Sequence, residues 1–167
     1  WQQPPRNVMP PVARVDVPER GVTGVAVEGD ARGWPQRAQS PRVPALDPVA
    51  ARTRSIVVYN RGQQPVGFTA RSTVPWLKVT PASGEVEDAQ ALGLSVDWSR
   101  LPEGEHEAVV AIRGSDRTEV YVQVPVRKPP AHRGARGFVE GDGVVAIEAA
   151  HYARAMPPPN GQWQLIP

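Results

Sequence analysis

The chain of 167 residues contains no cysteine. Disulfides and thiol chemistry are therefore excluded, although a cysteine-free protein fits any redox compartment. Long hydrophobic runs are missing too. Hydrophobic residues make up 40%, enough for a core, yet no run approaches the roughly 18 apolar residues of a membrane-spanning helix. Helical periodicity is also lacking. The 20 prolines are about twice the usual share, and they favour turns, sheet edges and linkers over long helices. Lysine is scarce: Lys78 and Lys128 are the only two among 19 basic residues. Against 17 acidic residues the net charge is +2 and no dense basic face stands out. Neither nucleic acid nor a membrane is expected as a partner.

Strand signals fill the middle of the chain. Val22–Glu28 places Val25 and Val27 on one face, and Ser55–Asn60 is rich in β-branched residues. Val66–Ser72 alternates Val66, Phe68 and Ala70 with polar neighbours, which predicts a hairpin with Ser55–Asn60 across Asn60-Arg61-Gly62. Trp76–Thr80 is a short strand, broken by Pro81-Ala82-Ser83-Gly84. Leu92–Trp98 sets Leu92, Leu94, Val96 and Trp98 on one face, the period-2 pattern of a half-buried strand. Glu107–Arg113 follows, and Thr118–Val126 places Val120, Val122, Val124 and Val126 on one side against Glu119, Tyr121, Gln123 and Pro125; Pro125 predicts that this strand ends there or lies at an edge. About seven strands at this spacing predict an all-β, Ig-like β-sandwich over 21–127.

Around that unit, residues 1–20 read as an extended Pro-rich arm and 128–137 as a linker. Residues 138–167 read as the incomplete start of a second β-sandwich, around Gly141-Asp142-Gly143. The long segment Gly29–Pro48 carries one anchor, Trp34, and a loop of this length is usually docked or functional. A chain opening on Trp1 and stopping at Pro167 is expected to be an internal piece of a larger protein, so its localisation stays open.

No catalytic constellation emerges. Glu85, Glu87 and Asp88, and likewise Glu103, Glu105 and Glu107, fall in turn-like stretches where carboxylates are solvated. His106, His132 and His151 are too far apart for a zinc site. Arg127, Lys128, His132, Arg133 and Arg136 lie in a Pro-rich linker without aromatics. Trp98 belongs to the core face, whereas Trp76 and Trp34 are the candidates for stacking on a sugar. Trp1, Trp34 and Trp163 also fit as anchors to neighbouring domains. Glu148, in the alternating VVAIEAAHY, is the candidate calcium ligand, set against a solvated glutamate.

The stretch FVEGDGVVAIEAAHYARAM resembles the opening of the C-terminal domain of glycoside hydrolase family 115, the xylan α-1,2-glucuronidases, where the pattern looks like E-x-D-G-x-V-x-I-E-A-E-H-Y. Trp163 with Ile166-Pro167 is similar to the next segment of that domain. GVAVEGD, VVYNRG, PWLKVTPASG and VDWSRLPEG resemble the Ig-like segment before that domain, and WQQPPRNVMP resembles its join to a helical domain. The resemblance implies a non-catalytic C-terminal portion of an α-glucuronidase that removes (4-O-methyl-)glucuronic acid side groups from glucuronoxylan. The catalytic acids would lie in upstream domains, and this piece would serve scaffold, interdomain or dimer packing. Expected partners are the upstream catalytic domains and a second copy, the parent substrate is xylan, and the location is secreted or periplasmic. Similarity to BACON-type modules and to family 6 and 35 carbohydrate-binding modules implies two β-sandwiches. In those modules an opening E-A-E strand can hold calcium; here Ala150 stands in place of the second glutamate, leaving Glu148. No other cofactor is implied. Two further readings stay open: a xylan-binding module acting through Trp76 or Trp34, and a generic Ig-like interaction domain.

Overall fold

A computed structural model describes residues 15–48, 53–130 and 159–160. The arm at 1–14, the linker beyond Pro130 and nearly all of 138–167, with Glu148 and Trp163, lie outside the described residues.

Eight strands form two four-stranded antiparallel sheets. The first sheet runs β1 (Thr23–Val27), β2 (Ser55–Asn60), β6 (Ala89–Val96), β4 (Leu77–Thr80) in spatial order. The second runs β5 (Ser83–Val86), β3 (Val66–Ser72), β7 (Gly104–Gly114), β8 (Glu119–Lys128). The alternation that predicted the strands is the alternation that fills the interior. Ile56 and Val58 from β2, Leu92 and Leu94 from β6, Ala108, Val110 and Ile112 from β7, and Val120, Val122, Val124 and Val126 from β8 are all buried. Each such Val, Leu or Ile contributes about 1.5–3 kcal/mol of burial, and together the two inner faces make one core.

The predicted hairpin between Ser55–Asn60 and Val66–Ser72 does not form. β2 pairs with β1 and β6, while β3 pairs with β5 and β7, so the link between them crosses from one sheet to the other. Period-2 alternation serves either arrangement. Asn60 decides the corner: its Oδ1 accepts from the N–H groups of Val22 (3.1 Å) and Gly62 (2.9 Å), and its Nδ2 donates to the carbonyls of Gln64 and Glu87. A second correction concerns Pro81–Gly84, predicted to break the strand as a whole: Ser83 and Gly84 already belong to β5. Pro81 and Ala82 carry the chain from β4 to β5 in the opposite sheet.

That two-residue crossing places the β4 and β5 edges on the same side of the sandwich, so β1 and β8 share the other side. The Gly29–Pro48 segment closes it. Val25 and Trp34 exchange backbone hydrogen bonds (3.0 and 2.8 Å) at the β1 edge. Further along, Val43 and Leu46 donate to the carbonyls of Gln123 and Pro125, and Gln123 and Arg127 donate to those of Pro41 and Leu46. This strap therefore runs parallel to β8, and Trp34, Val43 and Leu46 enter the core. Pro125 sits in the edge strand, as its missing donor predicted, but the strand continues past it. The N–H groups of Gln123 and Arg127 point outward to the strap, so by period two the nitrogen of Pro125 also faces outward and β7 loses no bond. β8 also includes Lys128, the first residue of the predicted linker.

Candidate functional site

The sandwich has two distinct ends. At the incoming end, β1 begins beside the turn joining β7 to β8. Asp116 in that turn accepts from the N–H and hydroxyl of Thr23, at 2.9 and 2.8 Å, and from the N–H and hydroxyl of Thr118, at 3.2 and 2.7 Å. Burial pushes the Asp116 carboxyl up, but the N–H of Thr23 and the other three donors outweigh it and hold its pKa below the ordinary aspartate value. The segment before β1 lies along the β2–β3 crossing, where Gln63 donates from its backbone to Pro18 and from its side chain to Val17.

At the outgoing end, β8 finishes opposite Gly104, where β7 begins. A 3-10 turn, Trp98–Arg100, lies beside it, capped by Asp97. Asp97 accepts from the Ser99 hydroxyl at 2.6 Å and from its N–H at 3.2 Å. The Ser99 hydroxyl is the main reason its pKa is lowered, helped by Arg100 and Lys78. Lys128 donates to the carbonyls of Trp98 (2.7 Å) and Leu101 (2.6 Å). Trp76 stands edge-on to His106, ring centroids 6.4 Å apart, and its carbonyl accepts from the N–H of Asp97.

A groove of about 850 Å³ opens between the strap and the start of β7, with Val43 and Val126 in its floor and Glu28, Asp30, Arg42, Glu107 and Arg127 around it. Most of its charge is answered within the fold. Glu28 pairs with Arg54 at 2.8 Å, Asp30 with Arg37 at 2.7 Å, and Glu107 with Arg42. The N–H of Arg32 is the main reason the Asp30 carboxyl lies below its ordinary range; burial opposes it, and Arg37 adds to it. Arg54 is only 3% exposed, so its partner Glu28 anchors a buried cation.

The aromatic residues singled out in the sequence separate by role. Trp34 is 4% exposed, Arg37 lies 5.0 Å above its ring, and its indole N–H donates to the carbonyl of Gln39. It is the anchor of the strap, with its ring enclosed in the fold. Trp76 is half-buried against the core and His106. Trp98 falls just after β6 and packs on the core only in part. Among the described residues the exposed aromatic is Tyr121, 46% exposed on the outer face of the second sheet, in register with Ala111 and, beyond it, Arg71. Sequence reasoning placed Tyr121 on the polar face of its strand but gave it no role, although an aromatic there was the available signal. Glu85 lies in β5, and Glu105 and Glu107 lie in β7. Among the described residues, no group of three His, Cys, Asp or Glu could hold a metal, and no helix is long and apolar enough to cross a membrane.

Several solved structures align weakly with the chain. The YadV chaperone aligns at 11% identity and a TM-score of 0.43, covering 67% of this chain, which spans 54% of the chaperone's length. PapD-like domain 7 of human CEP192 aligns at 12% identity and a TM-score of 0.45, covering 78% of this chain and 99% of that one. A Bacteroides ovatus GH5 xyloglucanase in complex with a XXXG heptasaccharide aligns at 16% identity and a TM-score of 0.40, covering 62% of this chain and 19% of that one. Likeness at this level transfers no function. No curated protein sequence matches the chain. The profile of the viral BACON domain family matches residues 42–125, from the strap through β8 and half of the chain. With that match and two antiparallel sheets closed by a strap, the chain belongs to the viral BACON domain family.

Proposed function

We propose that this BACON-type sandwich is a non-catalytic spacer that holds flanking parts of a longer protein apart. One observation carries the reading: the chain arrives and leaves at opposite ends. Thr23 is tied to the β7–β8 turn at Asp116, while Lys128 pairs with Gly104 at the far end of the same two strands. The 11 residues of β7, at about 3.4 Å each, separate those points by roughly 35 Å. The motifs GVAVEGD, VVYNRG, PWLKVTPASG and VDWSRLPEG support a more specific version of the reading. They lie on β1, β2, β4 and the end of β6, the four strands of the first sheet, and run on into Ser83-Gly84 of β5 and Gly104 of β7. By their resemblance to family 115, the parent enzyme removes glucuronic acid side groups from glucuronoxylan and this unit is its scaffold.

Spin labels on cysteines introduced at Glu19 and Ala131 test the spacer. A single narrow distance of roughly 35 Å is expected, and a short distance overturns the reading. Incubating the chain with glucuronoxylan tests the non-catalytic role: no glucuronic acid is expected, and its release refutes that role.

A second reading, a xylan-binding accessory module, draws on the exposure of Tyr121 on the outer face of the second sheet. Affinity electrophoresis on xylan distinguishes it. Retardation that disappears in Tyr121→Ala or Trp76→Ala supports binding, and unchanged migration of the native chain removes it.

A further inference from the structure

We propose that Lys128 is the positioning residue of the outgoing joint: its ammonium fixes the path along which Pro129 and Pro130 leave the sandwich. The inference rests on the spacer reading and specifies how one end of the spacer is held. Lys128 is the last residue of β8. Its Nζ reaches back 30 and 27 residues to the carbonyls of Trp98 and Leu101, which flank the turn between the two sheets. A cation is favourable at the carbonyls that end such a turn.

The turn is itself anchored. Asp97 caps it and donates its own N–H to the Trp76 carbonyl, Leu101 is buried, and His106 in β7 lies 3.0 Å from the carbonyl of Pro102. Lys128 therefore binds to a fixed point, and it does so from the strand opposite. The side-chain type fits the task. Among 19 basic residues this is one of two lysines, and a compact ammonium with three rotatable donors suits two converging carbonyls. The planar guanidinium of arginine has a fork that matches carboxylates.

The next two residues keep the direction. Pro129 and Pro130 have fixed φ values and form a stiff extended step. A flexible pair at this position would lose the orientation that Lys128 sets within two residues.

The chain has no cysteine of its own, so the label pair at Glu19 and Ala131 also reads this joint. In the native protein the distance distribution is expected to be single and narrow. Lys128→Met should keep the mean, broaden the distribution roughly two-fold, and speed amide exchange across residues 98–101 by about ten-fold. Lys128→Arg, which keeps the charge, should fall between the two and controls for any general loss of folding in Lys128→Met. A Lys128→Met protein that is folded and as narrow as native overturns the role of Lys128 and leaves the spacer standing. A native distribution that is already broad overturns both.

Discussion

The carboxylate of Asp116 holds Thr23 by two hydrogen bonds, 2.9 Å from the backbone N–H and 2.8 Å from the hydroxyl, although 93 residues separate them. Thr23 is fully buried, so this carboxylate is what satisfies its polar groups at the first residue of β1. Gly114 makes room for the pair, since a Cβ there would fall 2.0 Å from the Thr23 hydroxyl and 2.3 Å from Asp116. Asp116→Ala leaves buried donors unmet and should cost about 2–3 kcal/mol, read as a lower midpoint in urea. An unchanged midpoint would show that water replaces the carboxylate without loss.

The same group sets an acid limit. Its folded pKa is lowered from the ordinary value of 3.8. The stabilisation is therefore complete above that ordinary value and is lost as pH falls below it, through the folded value. Thermal melts of native protein should hold steady down to about pH 5 and then decline, and Asp116→Asn should flatten that decline in part. Asp30 and Asp97, also lowered, act in the same direction.

Trp34 fastens the strap, so its removal should be felt at a distance. Trp34→Ala is expected to cost about 3–5 kcal/mol. The N–H groups of Gln123 and Arg127, which donate to strap carbonyls, should then exchange faster than those of Val122 and Val124, which face β7. Uniform acceleration along β8 would instead mean that the whole sheet opens together.

Glu28 faces a guanidinium that is almost entirely enclosed. Glu28→Ala should destabilise by about 1–3 kcal/mol, below the usual cost of breaking a buried pair because Glu28 is itself 40% exposed. Glu28→Gln should recover part of the loss by keeping an acceptor for Arg54. Chemical denaturation of the two variants side by side checks the order.

On the open face of the second sheet the expectation is the reverse. Tyr121 donates its hydroxyl to Glu119 and is 46% exposed, so Tyr121→Ala should change stability by no more than about 0.5 kcal/mol. A larger loss would place the ring in packing rather than on a surface.

Much of the sandwich was legible in the sequence because its inner faces are built from strict alternation, clearest at Val120–Val126. β5 was not, since Ser83–Val86 buries only Val86 and one apolar residue makes no pattern. The strap was visible as a long loop with one tryptophan, but its pairing with β8 is made by backbone groups, which carry no side-chain signature. The meeting of Trp76 with His106, and of Lys128 with the 98–101 turn, joins residues about thirty apart through the tertiary fold alone. Tyr121 was placed correctly as outward-facing, and only the exposure left by Ala111 beside it marks it as a surface feature.

A ten-residue valine-rich strand at a sheet margin is a template on which other chains can polymerise. Strap and Pro125 occupy half of that template, and the strands at the opposite margins are four residues each, too short to seed growth. Repeated copies of this unit therefore sit close together at high local concentration without recruiting one another into fibrils, and a strap-loosened Trp34→Ala protein should be the first to form them.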